Sequence, residues 1–222
     1  MALQKREVVD RIINEGLITL IRSASAEEAL AAAEALSEGG ASLIEVTMTV
    51  PGAIEVVREL ARRRSGSCLI GAGTVLDSET GRLALLAGAQ FLVSPSLNFE
   101  LIQLAHRYSV VVIPGALTPT EVLAAWNAGA DFVKVFPVGQ LGGPDYVRAL
   151  KGPFPQILLL PSGGVNLNNL GEFIKAGATA VAVGSEIVDK AALREKNFQV
   201  IRDKTRAALQ AIARARPRQA AG

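Results

Sequence analysis

A lysine stands alone in an apolar, strand-like run, and its surroundings suggest chemistry. The segment from Gly129 to Gly139 reads GADFVKVFPVG, with Lys134 at its centre and Phe132 and Phe136 on either side. An ammonium group in a buried parallel strand is costly unless it is paired or has lost its proton. A lysine that has lost its proton is a nucleophilic amine, and its natural target is a carbonyl carbon. Lys134 is therefore a candidate catalytic residue.

A carboxylate that can move protons is the natural partner for such an amine. Forming a carbinolamine and dehydrating it to an iminium needs proton transfer, which a carboxylate with a raised pKa can perform. Glu45, in the segment GASLIEV that begins at Gly40, is the candidate. Together Glu45 and Lys134 suggest Schiff-base chemistry on an oxo acid: aldol cleavage, decarboxylation or dehydration. The alternative is a structural ion pair, or side chains that face outward.

Both residues belong to an internal repeat, which predicts the fold. GASLIEV, GAQFLV, GADFVKV and GATAVAV begin at glycines spaced 48, 41 and 48 residues apart, and each follows a helix-like segment rich in alanine and leucine. Each glycine is therefore predicted to end a helix and lead into a strand. The four glycines are Gly40, Gly88, Gly129 and Gly177.

Further short apolar strands lie before and between the repeats, which gives eight βα units in all. These strands are predicted at Leu17–Ile21, Leu69–Gly71, Val110–Pro114 and Ile157–Pro161. We predict one (β/α)8 barrel over residues 1–222, with an N-terminal helix at about 3–15 and a frayed tail at about 215–222. The alternative, an open doubly wound sheet, does not require four repeats and usually shows a glycine-rich dinucleotide turn that is missing here.

The repeat also aligns positions within the strands. Five residues after the four glycines stand Glu45, Val93, Lys134 and Ala182. Inward side chains of alternate barrel strands form layers, so these four are predicted to share one layer. Glu45 and Lys134 then face each other across the barrel interior, near the end where barrel enzymes do chemistry.

Two glycine-containing turns are candidates for phosphate binding. PSGGV follows the seventh predicted strand and VGSEI the eighth, where many barrels bind phosphate through backbone N–H groups and a helix N-terminus. Either turn alone is weak support, because tight turns use glycine anyway. The candidate phosphate-binding residues are Gly163, Gly164, Gly184 and Ser185.

Arg22 ends the first predicted strand, which adjoins the eighth in a closed barrel. Its guanidinium can therefore reach a phosphate or a carboxylate. A surface ion pair is the alternative.

Composition narrows the function classes. Twenty-three Lys and Arg against twenty-one Asp and Glu give a net charge of +2 without charge blocks, which predicts neither a nucleic-acid nor a membrane partner. One cysteine, Cys68, and one histidine, His106, exclude a disulfide framework and a Cys/His zinc site. We expect a cytoplasmic protein without a metal or other cofactor, and no signal peptide in the charged, helix-like start.

Several motifs in order resemble one family. The motifs are IEVTMTVPGA, GAGTVLD, FLVSPSLN, IPGALTPTE, FVKVFP, PSGGVNLNN and AVGSEIV, and the resemblance that they carry covers roughly residues 16–188, most of the chain. This order and spacing is similar to the 2-keto-3-deoxy-6-phosphogluconate (KDPG) / 4-hydroxy-2-oxoglutarate (KHG) aldolase family. The resemblance implies a metal-independent class I aldolase, a carbon–carbon lyase that cleaves KDPG to pyruvate and glyceraldehyde 3-phosphate. It also implies a homotrimer.

The same resemblance assigns roles to residues. Lys134 matches the Schiff-base lysine, Glu45 the general acid/base and Thr74 a contact to the pyruvate carboxylate. The turns already named match the phosphate site. Further residues implied to bind substrate are Arg22, Thr49, Pro95, Phe136 and Ser162.

Two positions depart from the common family pattern. Many relatives carry an arginine for the substrate carboxylate where this chain has Thr49, so that contact falls to Arg22, Thr74 or backbone donors. Ser162 replaces the usual threonine and keeps its hydroxyl.

Three rival functions remain open. KHG, or the galactonate epimer of KDPG, is an alternative substrate for the same catalytic residues. A phosphosugar-binding or scaffold barrel without turnover is the alternative from another class, and it gives no reason for a lysine in the core.

Overall fold

The computed structural model describes residues 4–63 and 66–216, in which strands and helices alternate. The strands are β1 (Leu17–Ile21), β2 (Leu43–Thr47), β3 (Leu69–Gly73), β4 (Phe91–Val93), β5 (Val111–Ile113), β6 (Gly115–Ala116), β7 (Val133–Val135), β8 (Leu159–Pro161) and β9 (Val181–Val183). The helices are α1 (Lys5–Glu15), α2 (Ala26–Glu38), α3 (Ala53–Arg63), α4 (Ser78–Leu86), α5 (Phe99–Arg107), α6 (Pro119–Asn127), α7 (Pro144–Lys151), α8 (Leu170–Lys175), α9 (Lys190–Arg194) and α10 (Phe198–Ala215). Among the described helices, none has the length and apolar composition needed to cross a membrane.

Parallel pairing closes the strands into a barrel. One ladder runs β5-β4-β3-β2-β1-β9 and a second runs β6-β7-β8. The ladders join on one side because the chain runs from β5 directly into β6, interrupted only at Pro114, whose carbonyl accepts a hydrogen bond from the Lys134 N–H at 2.9 Å. They join on the other side through a bridge between Ser162 and Ala182. The strand predicted at Val110–Pro114 covers β5 and ends before β6. The predicted (β/α)8 barrel is confirmed, and the predicted sixth strand is β7.

The four repeat glycines end helices, as the sequence predicts. Gly40, Gly88, Gly129 and Gly177 have φ between 92° and 103°, in the left-handed region that glycine adopts without steric cost. In each copy the N–H of the next alanine reaches back to a carbonyl in the last helical turn, which is the Schellman pattern. The bonds are Ala41 to Leu36 (3.0 Å), Ala89 to Ala84 (3.0 Å), Ala130 to Ala125 (3.1 Å) and Ala178 to Phe173 (3.0 Å).

The core has two parts, one inside the barrel and one between the strands and the outer helices. Side chains alternate along each strand, so Leu43 and Phe132 lie in the inner part while Ile44 and Val133 lie in the outer part. Val8 and Ile12 of α1 pack against the inner part. The N-terminal helix therefore covers the end of the barrel where the strands begin, and leaves the other end open.

Both ends of the described chain are tied to this barrel. Lys5 of α1 forms an ion pair with Asp131 at 2.8 Å. Arg216, just after α10, donates hydrogen bonds to the carbonyls of Ile13 and Asn14, which are otherwise free at the end of α1. The predicted start of α1 at residue 3 lies outside the described residues, as does most of the tail predicted to fray at about 215–222. Of that tail the structure describes residues 215 and 216, where α10 ends at Ala215 and Arg216 makes the hydrogen bonds just given.

Candidate active site

Lys134 lies at the centre of β7 and points into the barrel. It alternates with the outward-facing Val133 and Val135, and only 2% of its surface is exposed. Its Nζ lies 5.2 Å from the centroid of the Phe136 ring. The neighbouring strand residues are Gly115 of β6 and Leu160 of β8. The amine is therefore held among aromatic and aliphatic groups, away from bulk water.

Glu45 lies at the centre of β2, also on the inner face, and is fully buried. Neither of its carboxylate oxygens has a hydrogen-bond partner among the described residues. A buried polar atom without a partner is uncommon in native proteins and is often found where a ligand or a reaction supplies the partner. Val93 and Ala182 belong to the same inner core, so the four repeat positions share the barrel interior as predicted.

The sequence analysis missed the residue that makes room for Glu45. A Cβ atom on Gly73 of β3 would lie 1.7 Å from Glu45 Oε1 and 2.3 Å from its Cδ. Gly71, two residues earlier on the same face, would clash in the same way with the ring of Phe91, at 2.2 Å. The signal was present in the sequence, because alternate glycines in GAG place two missing side chains on one face of a strand.

Burial shifts the pKa values of both groups toward their neutral forms. It raises the pKa of Glu45, against the opposing charges of Lys134 and Arg22. It lowers the pKa of Lys134; the Glu45 charge opposes this and Arg22 adds to it. The two groups act on each other without a hydrogen bond between them. A neutral amine and a carboxyl group able to give or take a proton are the two species that imine formation requires.

Predicted site residues surround one side of the barrel mouth. A cavity of about 90 Å³ at the ends of β1, β7, β8 and β9 includes Arg22, Phe136, Ser162, Gly163, Gly164, Gly184 and Ser185 in its lining. In the described chain, the N–H groups of Gly163, Gly164 and Ser185 donate to no protein acceptor. These N–H groups are therefore available to an anion in the cavity.

The turn after β8 has the backbone that its glycines allow. Gly163 and Gly164 have φ of 75° and 98°, and a Cβ on Gly164 would lie 2.6 Å from the Cα of Gly139. Ser162 is 5% exposed, and its hydroxyl donates to the Ala182 carbonyl at 3.2 Å. Ser162 therefore also helps to close the barrel between β8 and β9, a second use that the sequence did not indicate.

Three predicted residues lie on the other side of the mouth, outside this cavity. Thr74 follows β3 with φ of 54°, which is rare for a β-branched residue. Thr49 is exposed, and its hydroxyl lies 2.8 Å from that of Thr47, which also contacts the Ile21 carbonyl at 3.0 Å. Pro95 follows β4, and its backbone lies against Gly115. Arg22 thus lies with the glycine turns rather than with Thr49.

A closed (β/α)8 barrel with a buried lysine and a buried carboxylate on the inner face of its strands is the arrangement of an enzyme of the lysine-dependent type. Residues 8–204 match the sequence profile of the KDPG and KHG aldolase family. The chain belongs to this family and is an aldolase, a carbon–carbon lyase. In the described residues, no group of three or more His, Cys, Asp or Glu is placed to hold a metal ion.

Individual relatives agree with the family assignment. The 2-dehydro-3-deoxy-phosphogluconate aldolase of Pseudomonas aeruginosa is 33% identical over 214 residues, which are 95% of this chain and 96% of that protein. KDPG aldolase from Legionella pneumophila, solved with pyruvate captured as a covalent carbinolamine, is 31% identical with a TM-score of 0.84 over 94% of this chain and 99% of that one. A porous cage designed by fusing symmetric oligomeric domains is 30% identical, with a TM-score of 0.82 over 90% of this chain and 73% of that one.

We predict that Gly73→Ala lowers aldol-cleavage turnover by about 10²-fold, because the new methyl group occupies the space of the Glu45 carboxylate and displaces it by about 1 Å or more. The measurement is kcat by coupled assay, with thermal unfolding to check that the fold is retained. Gly152→Ala is the matched control, because its Cβ meets nothing closer than the Ala149 carbonyl oxygen at 3.4 Å. Wild-type turnover in Gly73→Ala would show that the position of Glu45 does not limit the reaction.

Proposed function

We propose that this protein cleaves KDPG to pyruvate and glyceraldehyde 3-phosphate through an imine on Lys134. The observation that carries the proposal is the pair of buried groups, Lys134 and the unpartnered Glu45, inside the open end of the barrel. The covalent pyruvate in the Legionella relative supports the same chemistry. A binding or scaffold barrel has no use for two ionisable groups buried at this cost.

In the first half of the proposed reaction, the neutral Lys134 amine attacks the C2 keto carbon. The keto oxygen takes up a proton to give a carbinolamine, which loses water to form the iminium. Glu45 gives and takes the protons of these steps, directly or through a water molecule. Its raised pKa suits this role, because burial makes the Glu45 carboxyl take up a proton more readily than an ordinary carboxylate.

In the second half, the iminium withdraws electrons from C3, and Glu45 takes the proton of the C4 hydroxyl. The C3–C4 bond breaks, leaving an aldehyde and a pyruvate enamine on Lys134. Glu45 then returns a proton to C3, and water hydrolyses the iminium to release pyruvate and free lysine. Every proton removed is returned, so no outside oxidant, reductant or metal is needed for balance.

We place the two ends of the substrate on opposite sides of the mouth. The cavity with Arg22 and the free N–H groups of Gly163, Gly164 and Ser185 takes the phosphate. The carboxylate lies toward Thr74, whose left-handed backbone is a conformation found mainly where function requires it. Thr49, whose hydroxyl lies 2.8 Å from that of Thr47, stands where many relatives carry arginine, and we assign it a weaker, neutral contact. We propose that Phe136 and Pro95 also contact the substrate, as further residues lining the barrel mouth.

The same two catalytic residues can act on related oxo acids, which are the alternative substrates. The matched family includes KHG aldolases, and the galactonate epimer of KDPG differs only in the stereochemistry of one hydroxyl-bearing carbon. The free N–H groups in the turns after β8 and β9 favour a phosphorylated substrate over KHG.

We also propose a cytoplasmic location. The single cysteine, Cys68, is buried, contacts the Ser37 hydroxyl at 3.4 Å, and has no disulfide partner. This composition suits a reducing compartment.

Trapping the imine tests the proposed nucleophile. Pyruvate with borohydride should add one reduced pyruvyl group per chain, at Lys134 by peptide mapping, and at a pH well below 10.4, the usual lysine pKa. Glu45→Gln should still be labelled while its turnover falls by about 10²–10⁴-fold. Lys134→Arg is the control and should remain unlabelled. Label on another lysine would refute the assignment.

The phosphate assignment predicts a strong substrate preference. KDPG should exceed its unphosphorylated analogue in kcat/KM by more than about tenfold, because binding remote from the breaking bond contributes to the transition state. Ser185→Asp should remove most of this preference, since a carboxylate repels phosphate, yet still allow the pyruvate imine at Lys134. Ser185→Ala is the neutral control. Equal kcat/KM for both substrates in wild type would instead favour KHG.

We propose that the chain forms a homotrimer, as the family resemblance implies, and that the outer face of α4 and α5 is buried in it. Of seven exposed large apolar side chains in the described residues, five lie on or beside these helices: Leu76, Leu83, Leu86, Phe99 and Tyr108. Two of them, Leu83 and Tyr108, line an open groove of about 700 Å³ whose other lining residues, apart from Leu104, are polar or charged. An apolar patch of this kind on a protein surface usually marks an interaction site. The designed cage built from oligomeric domains supports an oligomer of this fold.

Light scattering after gel filtration should give about three times the chain mass of 23.2 kDa. The double variant Leu83→Glu, Leu86→Glu should dissociate to monomer, because two carboxylates cannot be buried at an apolar interface without partners. Leu141→Glu, at a residue 41% exposed on a different face, is the control and should keep the assembly. A trimer that survives the double variant would place the interface elsewhere.

A further inference from the structure

A groove leads away from the candidate active site, and Arg22 lines every part of it. Beyond the mouth cavity, a second space of about 140 Å³ is lined by Arg22, Ser185, Val188 and Lys190. A third, of about 360 Å³, has Arg22, Ser23, Ala24, Glu28, Lys190, Leu193 and Arg194 around it. The three spaces follow one another because each neighbouring pair shares lining residues.

The groove carries an excess of positive charge. Arg22, Lys190 and Arg194 form no ion pair within the described part of the chain. Glu28 is the one acidic residue in the lining of the large space, and its carboxylate accepts a hydrogen bond from the Ala24 N–H at 2.9 Å. Asp189, next to the groove, caps α9 and pairs with Lys204 at 3.1 Å. Glu186 lines the mouth cavity instead. Around the large space, three cations without an ion-pair partner among the described residues thus stand against one acidic group.

The shape of the large space suits a small ligand rather than a flat surface contact. Its volume falls in the range of small-molecule sites in proteins. Leu193, which is buried, and Ala24 give it an apolar floor, while cations stand on two sides: Arg22 at the end of β1, and Lys190 and Arg194 on α9. Several guanidinium and ammonium groups around one space can bind an anion that has more than one charged group.

We propose that this groove is a second anion-binding site, for a small polyphosphate or multiply phosphorylated metabolite, and that Arg22 is shared between it and the candidate phosphate site. One guanidinium cannot serve two anions fully, so a ligand in the groove weakens the binding of phosphorylated substrate, and the substrate weakens the binding of the ligand equally. The existence of the site is independent of the proposed function. Only its effect on turnover rests on that function.

Pyrophosphate is the probe, and two measurements on the full chain separate the two parts of the proposal. Calorimetry measures its dissociation constant without any substrate, and steady-state kinetics measures its inhibition constant against KDPG. The variant Lys190→Met, Arg194→Met should raise both constants by about tenfold or more, through the loss of two charge-assisted contacts. Its kcat and its KM for KDPG should stay within about twofold of wild type, because both residues lie outside the candidate active site.

The control is Arg148→Met, Lys175→Met, which removes the same charge from exposed positions on α7 and α8 and should leave both constants unchanged. Wild-type pyrophosphate affinity in the Lys190, Arg194 variant would overturn the groove site and place the anion at the glycine turns. Binding at the groove without inhibition would overturn the sharing of Arg22. Should KDPG prove not to be a substrate, calorimetry alone still decides whether the site exists.

Discussion

Two ionisable side chains share the interior of this barrel with almost no access to water, and the cost of that burial shapes the surrounding structure. Lys134 is 2% exposed and Glu45 is fully buried, and no hydrogen bond joins them. A buried charge without a partner costs several kcal/mol, so each group lowers its cost by moving toward its neutral form. The same shift is the one that their proposed roles need, a nucleophilic amine for Lys134 and a proton-transferring carboxyl for Glu45.

The large side chains inside the barrel need space, and β3 provides it because two of its inward-facing residues are glycines. Gly73 leaves room for the Glu45 carboxylate, and Gly71 leaves room for the ring of Phe91 nearer the base. Below the two polar groups the interior is filled by apolar side chains, and Val8 and Ile12 of α1 cover the end where the strands begin. Water is thereby excluded from one end, so the candidate site opens only at the C-terminal ends of the strands.

Features that repeat along the chain could be predicted from the sequence because they depend on the conformations of residues that are close together in it. The Gly-Ala repeats predicted helix ends, and the structure has a Schellman bond at each of the four. The alternation of a strand then placed Glu45 and Lys134 on one inner face. Features that depend on contacts between distant segments were not visible. The break at Pro114 and the Ser162 hydroxyl that joins β8 to β9 both follow from how the barrel closes.

Arg22, at the mouth of the barrel, also affects the pKa values of the two groups buried in its interior. Its positive charge lowers the pKa of Lys134, in the same direction as burial, and so favours the free amine. The same charge lowers the pKa of Glu45 and so opposes part of the increase that burial causes. A proton shuttle works best when its pKa lies near the working pH, because it must both give and take a proton in each turnover. One exposed cation at the end of β1 therefore shifts the pKa values of both buried groups in the directions that their proposed roles require.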